Sequence, residues 1–517
     1  MKTLSLLISF CLLAGFSLRT IAQPGSLDNT FGTGGVAIGP SYPSDDRSQD
    51  MLIQPDGKIL LGGYSDSGTS SDFSIARYNA DGTPDNNFGT NGIVFIDLGT
   101  DSDWCWSIAL QADGKILMGG TVYHQFTTNN DFALVRLNSN GTADITFGTG
   151  GIVTTDIEGL WDDGYDVALQ ADGKILLGGE AYIVDGRDFC IVRYNPDGTL
   201  DNTFGTAGVV LTSFGSVRDR LRNICLQDDG KIVACGWTEN ASEDDIAVAR
   251  YNTDGNLDNT FGTGGMLVLP SALASERAWD IKMQSDGKML LSGYSNDNGF
   301  INILLARLNT DGSPDNTFGN NGISIPVFSG NEMGLSFALQ GDGKILVTGE
   351  AFHFSLSRYL TDGSVDTEFG EDGIVITNPG TGYSFSTSVA VQSDGKIVVG
   401  GYAENDDTQN FTLIRYHAEE SGGIKDNNIT FQSAHLYPNP VPGNSFTIEY
   451  LLSSRQEISI ELLTSDGKML QVWQSRQSRE AGIITENLLL PEIIATGIYF
   501  IRLSSPRESI MLKLNVE

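Results

Sequence analysis

A ten-residue stretch, QADGKILLGG at positions 170–179, occurs seven times along the chain in closely similar forms. The copies begin at Gln54, Gln111, Gln170, Gln227, Gln284, Gln340 and Gln392, at intervals of 57, 59, 57, 57, 56 and 52 residues. Each copy places an Asp-Gly pair between two apolar runs, which is typical of a β-hairpin because the turn needs residues that tolerate positive φ. A period of this length indicates a solenoid, a propeller or another repeat array.

Each repeat contains four short runs with β-strand character. In the third repeat these runs are residues 152–155, 166–170, 174–178 and 188–195. Several runs are apolar at both alternate positions, as expected for strands that are buried on both faces. A four-stranded sheet between two neighbouring sheets has two buried faces, so the repeat predicts a propeller blade. A solenoid is the alternative, although its repeats are usually shorter.

The two ends of the repeat region complement each other. Residues 27–39 contain a turn and a first strand, whereas the seventh repeat ends at Tyr416 and His417 without that strand. We therefore predict an all-β, seven-bladed β-propeller, closed by pairing of residues 27–39 with the blade formed by residues 386–417. An open array would leave two exposed sheet edges, which proteins usually avoid.

The repeat segments carry a family resemblance. The Lys-Ile-x-x-Gly-Gly segment, followed by an x-Arg-Tyr-Asn strand, resembles the delta-60 repeat family over about residues 25–417. The same segments resemble the kelch pattern less specifically. The resemblance implies a propeller-like fold and brings no assigned activity with it.

A second region follows a linker at residues 418–434. Residues 435–517 contain Tyr437, Pro438, Asn439 and Pro440, then Gly497 and Tyr499, and end with Lys513 and Val516 in a Lys-Leu-x-Val sequence. These motifs resemble the C-terminal sorting domain of the type IX secretion system. The resemblance implies export by that machinery, followed by surface attachment or release. Alternating apolar runs in this region predict a small C-terminal β-sandwich.

The N-terminal residues predict export as well. Lys2, an apolar run from Leu4 to Leu18, and a small residue at Ala22 are typical of a secretory signal peptide. We predict that residues 1–22 are removed by cleavage between Ala22 and Gln23, which leaves residues 23–417 as the propeller. No other stretch is long and apolar enough for a transmembrane segment. The predicted location is therefore secreted or at the outer cell surface.

Net charge and cysteine usage exclude some functions. The formal charge of −34 argues against nucleic acid or an anionic membrane as a partner, because both attract basic surfaces. Outside the signal peptide there are four cysteines, and none recurs at a repeat position. Cys225 and Cys235 flank one hairpin turn, so a disulfide is possible between them. We favour two buried free thiols, because the register decides whether they face each other.

Two repeated polar features have structural explanations. The turn from Asn195 to Asp201 offers oxygen atoms that suit calcium, yet Asn and Asp are also common in turns because they bond to their own backbone. We favour the structural turn, and we predict no other metal or cofactor. The repeated Arg, such as Arg193, shares a strand with buried residues, so we expect it to form structural ion pairs and favour these over an anion-binding site.

The variable loops indicate a binding face. Trp104, Trp161, Glu180, Tyr182 and Trp237 lie in repeats two to four, in connections that emerge on one face of a propeller. Aromatic residues on variable loops are typical of binding surfaces. We predict a binding or adhesion module for an extracellular glycan or protein ligand.

Other residues suggest different interpretations. Trp106, Tyr165 and Trp279 each precede a repeat Gln by five positions, which we attribute to packing. The alternative function is a glycan-cleaving enzyme that uses carboxylates such as Asp162 and Asp163. We assign no catalytic residues, because near-identical blades disfavour the unlike residues that catalysis needs at one site.

Overall fold

The computed structural model forms two compact units, Ala22–Ser421 and Gly422–Glu517. It describes residues 23–39, 45–66, 68–99, 102–124, 129–184, 186–240, 243–269, 275–297, 299–328, 332–350, 352–418, 431–437, 439, 441, 443–452, 455–464, 468–479, 482–491, 494–505 and 509–516. The predicted signal peptide, residues 1–22 with Ala22 of the cleavage site, lies outside the described residues, as do Pro438 and Pro440 of the sorting motif and most of the linker.

Seven antiparallel four-stranded sheets make up the first unit, and we number them as blades 1 to 7 in chain order. Blade 1 contains β2 (Asp45–Ile53), β3 (Ile59–Asp66), β4 (Ser71–Tyr78) and β5 (Ile93–Ile96). Blade 2 contains β6 (Ser102–Leu110), β7 (Ile116–His124), β8 (Asn129–Leu137) and β9 (Ile152–Thr155). Blade 3 contains β10 (Asp162–Leu169), β11 (Ile175–Ile183), β12 (Gly186–Tyr194) and β13 (Val209–Thr212). Blade 4 contains β14 (Asp219–Leu226), β15 (Ile232–Asn240), β16 (Glu243–Tyr251) and β17 (Met266–Leu269). Blade 5 contains β18 (Ser275–Met283), β19 (Met289–Asp297), β20 (Phe300–Leu308) and β21 (Ile323–Ser324). Blade 6 contains β22 (Ser336–Leu339), β23 (Ile345–Glu350), β24 (Phe354–Tyr359) and β25 (Ile374–Thr377), and blade 7 contains β26 (Ser384–Val391), β27 (Ile397–Asn405), β28 (Thr408–Tyr416) and β1 (Val36–Ile38).

The blades pack face to face, which explains the apolar residues at both alternate positions. On β12, Phe189 and Ile191 belong to the core shared with blade 4, whereas Cys190 and Val192 belong to the core shared with blade 2. The first strand of each blade contacts the first strand of the next, and β26 of blade 7 contacts β2 of blade 1. The seven sheets therefore form a closed ring, and the predicted seven-bladed propeller is confirmed.

Residues from the N-terminal segment close the ring. Strand β1 pairs with β28, with Val36 opposite Ile414 and Ile38 opposite Thr412. Close by, the Asp28 carboxylate accepts a hydrogen bond of 2.8 Å from Arg415 Nε. The predicted pairing of residues 27–39 with the last blade is confirmed.

A buried ion pair recurs in all seven blades on the constant face, which we define as the end of the propeller that carries the repeated Asp-Gly turns. The repeat Arg donates from Nε to an Asp eight positions later, and its guanidinium lies over the Phe ring of the same turn, 4.3–4.8 Å from the centroid. In blade 7 the Asp comes from the N-terminal segment instead, as Asp28. The same Arg also donates to a backbone carbonyl of the next blade, as Arg77 does to Ser139 O. The predicted structural ion pairs are therefore present.

We expect the ion pairs to make stability fall in acid. A hydrogen bond from the Thr146 hydroxyl, supported by Lys115 and Arg136, holds the pKa of Asp144 below its ordinary value despite burial. A carboxyl group whose pKa is lowered by folding stabilises the fold above its unfolded pKa of about 4, and this contribution is lost as pH falls below that value. The urea midpoint should therefore be clearly lower at pH 3 than at pH 7. The variant Asp144→Asn should show a weaker dependence, and equal dependence in both proteins would contradict this assignment.

The second unit contains two antiparallel sheets around one apolar core. One sheet has the order β29-β30-β33 and the other β32-β31-β34-β35. The strands are β29 (Phe431–Tyr437), β30 (Ser445–Leu452), β31 (Gln456–Thr464), β32 (Met469–Arg479), β33 (Gly482–Leu489), β34 (Gly497–Ser504) and β35 (Ser509–Val516). Ile448 of the first sheet and Ile460 and Leu503 of the second are fully buried in the shared core.

Residues of the predicted sorting motif join both ends of this unit. The Asn439 side chain donates to the carbonyl of Lys513 at 2.7 Å and accepts from the amide of Asn515 at 2.8 Å. Tyr437 and Lys513 are exposed, and Tyr499 donates from its hydroxyl to the carbonyl of Ala495 at 2.9 Å. The motif therefore lies partly on an accessible surface.

Cys225 and Cys235 do not face each other across their hairpin. Cys225 is opposite Val233, and Cys235 is opposite Asn223. Both thiols are free, as favoured from the sequence, although Cys225 is only partly buried. No helix among the described residues is long and apolar enough to cross a membrane.

Candidate functional site

Four of the five predicted binding residues lie in one network on the loop face. We define the loop face as the end that carries the second hairpin of each blade and the connections between blades. The amide of Tyr182 donates to the carbonyl of Trp161 at 2.8 Å, and the Arg187 guanidinium lies 5.5 Å from the Tyr182 ring centroid. Arg187 donates to Glu180 at 2.5 Å, and Glu180 also pairs with Arg220 at 3.3 Å.

This network differs in exposure from one end to the other. Trp161 and Tyr182 are 45% and 43% exposed, whereas Glu180 and Trp237 are only 1% and 3% exposed. A surface ligand would therefore contact Trp161 and Tyr182, while Glu180 and Trp237 hold their neighbours in place. Trp104 is half-buried and packs on Tyr123 of its own blade, with ring centroids 6.5 Å apart.

Trp237 is the centre of a group of arginines. The guanidinium carbons of Arg222 and Arg277 each lie 4.9 Å from the centroid of the Trp237 ring, and that of Arg220 lies 5.9 Å away. Positive charge over an aromatic face is favourable, because the face of the ring carries negative potential. On a chain with a formal charge of −34, blades 3 to 5 thus gather cationic groups at one place.

The arginine group continues into a central cavity of about 220 Å³. In six blades the first strand contains a β-bulge, and the extra residue stands five positions before the repeat Gln. The extra residues all line the cavity, and they are Gln49, Trp106, Tyr165, Arg222, Trp279 and Thr387. A bulge re-aims one side chain and increases the local twist, so it places these residues towards the ring centre.

The wall of the cavity is held by hydrogen bonds between blades. Asp50 Oδ2 accepts from the amide of Ile108 at 2.9 Å, and Asp166 Oδ2 accepts from the amide of Ile224 at 2.8 Å. Asp280 Oδ2 accepts from the amide of the following blade in the same way, at 3.0 Å. Burial raises the pKa of Asp50 to about 6 and that of Asp166 to about 7. These carboxyl groups therefore link consecutive blades.

Arg222 is a cationic group in the cavity that has no hydrogen-bond acceptor among the described residues. Its guanidinium carbon lies 3.9 Å from the Tyr165 ring centroid and 4.7 Å from that of Trp279. Its Nε is buried and has no hydrogen-bond partner among the described residues. The indole nitrogen of Trp279 is likewise buried without a partner. Two donors in one small cavity indicate a place for a ligand that accepts hydrogen bonds.

The sequence predicts a binding site on the loop face and does not predict the central cavity. Trp106, Tyr165 and Trp279, which the sequence assigns to packing, contact neighbouring aromatic rings and in addition line the cavity. The signal that could have found the cavity was the shared register, because Arg222 also precedes its repeat Gln by five positions. Besides three aromatic residues, this register holds Gln49, Arg222 and Thr387, and polar residues at such a position do not suit an apolar core.

Asp162 and Asp163 do not act as a pair. Successive residues of a strand point to opposite faces, and these two begin β10. Burial raises the pKa of Asp162 to about 8, and Asp131, Asp156 and Asp163 add to the rise. Asp163 instead accepts a hydrogen bond of 2.6 Å from Asn130, and its pKa is raised by burial and by Glu180.

The repeated turn from Asn195 to Asp201 satisfies its own polar atoms. Asp197 Oδ1 accepts from the amide and the hydroxyl of Thr199, at 3.0 and 2.7 Å. Asp201 pairs with Arg193 and Lys174 at 2.8 and 3.0 Å. These contacts agree with the structural turn that we favoured over calcium binding.

Comparison with known proteins bears on both units. The first unit matches a family model described as "domain of unknown function (DUF5122) beta-propeller" at residues 54–88, 111–147, 170–204, 227–261, 284–318, 340–369 and 392–419. Residues 435–517 match a model described as a secretion system C-terminal sorting domain. No curated protein matches the chain.

Several solved structures are similar to the chain, with low sequence identities and low TM-scores. PorZ, described as an essential bacterial surface component of the type-IX secretion system of Porphyromonas gingivalis, shows 10% identity and a TM-score of 0.32, over 92% of this chain and 75% of that one. The β-propeller domain of the Trilobed protease from Pyrococcus furiosus shows 12% identity and a TM-score of 0.39, over 74% and 96%. These similarities carry no argument about function.

The sequence matches and the sheet topology lead to the same assignment. Seven matched repeats coincide with seven four-stranded sheets, and the sorting-domain match coincides with the second unit. The sorting domain marks the chain for export by the type IX machinery to the cell surface or the surroundings of the cell. The chain therefore contains seven repeats that match the DUF5122 β-propeller model, followed by a secretion system C-terminal sorting domain.

Proposed function

We propose that the exported propeller is a binding module whose ligand enters the loop face of blades 3 to 5 and reaches Arg222 in the central cavity. The observation that carries the proposal is Arg222 itself, a cation that lies between the Tyr165 and Trp279 rings and whose buried Nε has no acceptor in the part of the chain that the structure describes. An arginine that only stabilised the fold would be expected to have a carboxylate or carbonyl partner, as all seven repeat arginines do.

The surroundings of Arg222 suggest the chemistry of the ligand. A guanidinium recognises carboxylates well because its donors form a planar fork. The neighbouring aromatic rings favour a flat apolar surface, such as the face of a sugar ring or a peptide side chain. The ligand is thus an acidic glycan or an acidic peptide, with exposed Trp161 and Tyr182 as additional contacts.

The substitution Arg222→Gln tests this proposal. It removes the charge, and we expect at least a 10-fold loss of affinity, because a hydrogen bond to a charged group contributes about 1.5–3 kcal/mol. The measurement is binding of the secreted protein to paired glycans and peptides with and without a carboxylate, by array and then by calorimetry. The acidic member of each pair should bind more tightly to the unmodified protein.

Arg218→Gln is the matched control, because Arg218 belongs to the same segment but is exposed and pairs with Glu239. This variant should bind as the unmodified protein does. Equal binding of acidic and neutral ligands, or equal loss of affinity in both variants, would contradict the proposal.

The competing function is a carboxylate-dependent enzyme that cleaves glycans. Asp163 and Glu180 are its strongest remaining pair, because they are opposite each other on β10 and β11. However, Glu180 is held in ion pairs with two arginines, which suits a structural role better than acid catalysis. Release of sugar products in the binding assay, abolished by Asp163→Asn, would favour the enzyme.

A further inference from the structure

A cluster of three carboxylates lies between blades 2 and 3, apart from the central cavity. Asp131 belongs to β8, Asp156 follows β9, and Asp162 begins β10. Each offers one oxygen atom, and these atoms all lie within 4.8 Å of one another. Asp131 and Asp162 are buried, whereas Asp156 is exposed. Like charges at this separation repel each other, especially where burial excludes water.

The buried member of the cluster has an unused acceptor. Asp162 is 0% exposed, and its Oδ2 accepts from the amide of Ile157 at 2.6 Å. Its Oδ1 is buried, and no described residue donates a hydrogen bond to it. A buried carboxylate oxygen without a donor is costly and is rarely left so in a folded protein.

Equivalent positions in other blades show how the fold normally satisfies this oxygen. Asp219 occupies the same register in blade 4, and its Oδ1 accepts from the Thr238 hydroxyl at 2.6 Å and from Ser216 at 2.7 Å. In blade 1, Asp46 Oδ1 accepts from the Ser65 hydroxyl at 2.5 Å. The residue opposite Asp162, at the position of Thr238 and Ser65, is Ala181, which has no hydroxyl.

Asp156, the third member of the cluster, also stands where an equivalent position has a hydroxyl residue. Between blades 3 and 4 the position of Asp156 is held by Ser213, whose hydroxyl donates to Asp219 at 3.3 Å. Blade 4 therefore surrounds its buried carboxylate with hydroxyl donors, whereas the cluster at Asp162 replaces donors with Ala181 and with another carboxylate. Both changes remove hydrogen-bond donors, and one also adds negative charge.

We propose that Asp131, Asp156 and Asp162 bind a divalent cation of the calcium class. A cation supplies to Asp162 Oδ1 the positive partner that hydroxyl groups supply in blades 1 and 4. Calcium takes oxygen ligands at about 2.3–2.6 Å, so ligand atoms on opposite sides of the ion are about 4.8 Å apart. Water completes the coordination on the side of exposed Asp156. Asp131 Oδ2 also accepts from His124 Nε2 at 2.9 Å, which fixes the orientation of that carboxylate.

A second cluster, formed by Asp72, Asp97 and Asp103, is equivalent to the first but lies one blade earlier. Val122 is opposite Asp103, again in place of a hydroxyl residue. The experiment on the first cluster should therefore be done with Asp97→Asn in every protein, so that the second cluster does not contribute.

The test is calorimetric titration of the secreted protein with calcium chloride, alongside thermal unfolding with calcium or with a chelator. Extracellular calcium sites typically bind at about 10⁻⁴–10⁻³ M. The Asp97→Asn protein should bind one calcium ion, and excess calcium should raise its unfolding temperature by about 2 °C or more. Adding Asp156→Asn should weaken binding by at least 10-fold, and because Asp156 is exposed the protein should still fold.

Glu158→Gln provides the matched control, because Glu158 is exposed in the same loop and lies outside the cluster. It removes one negative charge and should leave calcium binding unchanged. Ala181→Ser supplies the missing hydroxyl opposite Asp162 and should reduce the stabilisation by calcium. The proposal is overturned if calcium produces neither binding heat nor stabilisation, or if Asp156→Asn and Glu158→Gln behave alike.

Discussion

A chain that lacks residues 23–39 is expected not to form a stable propeller. The deletion leaves blade 7 with three strands, exposes the edge of β28 and removes Phe31, which is fully buried. Loss of a buried Phe costs about 3–5 kcal/mol, and loss of one partner from a buried ion pair costs about 3–5 kcal/mol more. The sum is comparable to the whole stability of a typical domain, which is about 5–15 kcal/mol. Circular dichroism and size-exclusion chromatography should show an unfolded or aggregated protein.

Two point substitutions separate ring closure from the general importance of the ion pair. Asp28→Ala and Asp85→Ala remove the same interaction, but only Asp28 joins the two ends of the propeller sequence. Both should lower the free energy of unfolding by about 3–5 kcal/mol, because both leave a buried Arg without its carboxylate. A large loss for Asp85→Ala with no loss for Asp28→Ala would show that the N-terminal segment does not close the ring.

A chain that lacks residues 430–517 is expected to remain inside the cell envelope. The deletion removes the whole second unit described by the structure, including the exposed Tyr437 and Lys513. It leaves every blade of the propeller intact, so any loss of export reflects addressing and not misfolding. The measurement is the fraction of protein at the cell surface and in the medium, with surface protease digestion to separate exposed from internal protein.

Export has its own control in this chain. Full-length protein with Arg222→Gln changes the candidate ligand site and leaves the sorting domain untouched, so it should reach the surface in normal amounts. Surface levels of the truncated chain equal to those of the full-length chain would refute the role of the domain.

The sequence predicted the fold well because its strongest signals are local and repeated. Asp-Gly turns and apolar runs mark the hairpins, and the missing strand of the seventh repeat predicts the pairing of β1 with β28. The ion pair between Arg193 and Asp201 is also local, because its partners are eight residues apart in the chain.

The site was harder to predict because it depends on register and on distant contacts. The bulge at Arg222 shifts the pairing by one residue, so simple alternation assigns the wrong face to the residues before it. The meeting of Asp131, Asp156 and Asp162 involves two blades, and the absence of a hydroxyl at Ala181 matters only once the register of β10 and β11 is known. Such features follow from packing and not from periodicity.

The ion pairs of the constant face have a consequence for how such a ring can change over generations. Each repeat Arg contacts an Asp of its own blade, or Asp28 in blade 7, and a carbonyl in the turn of the next blade, so every junction uses the same parts. Duplication or loss of one whole repeat would therefore regenerate a complete junction on either side. The loops on the opposite end take no part in these junctions and are free to diversify, so selection for new ligands can act on one end while the other preserves assembly.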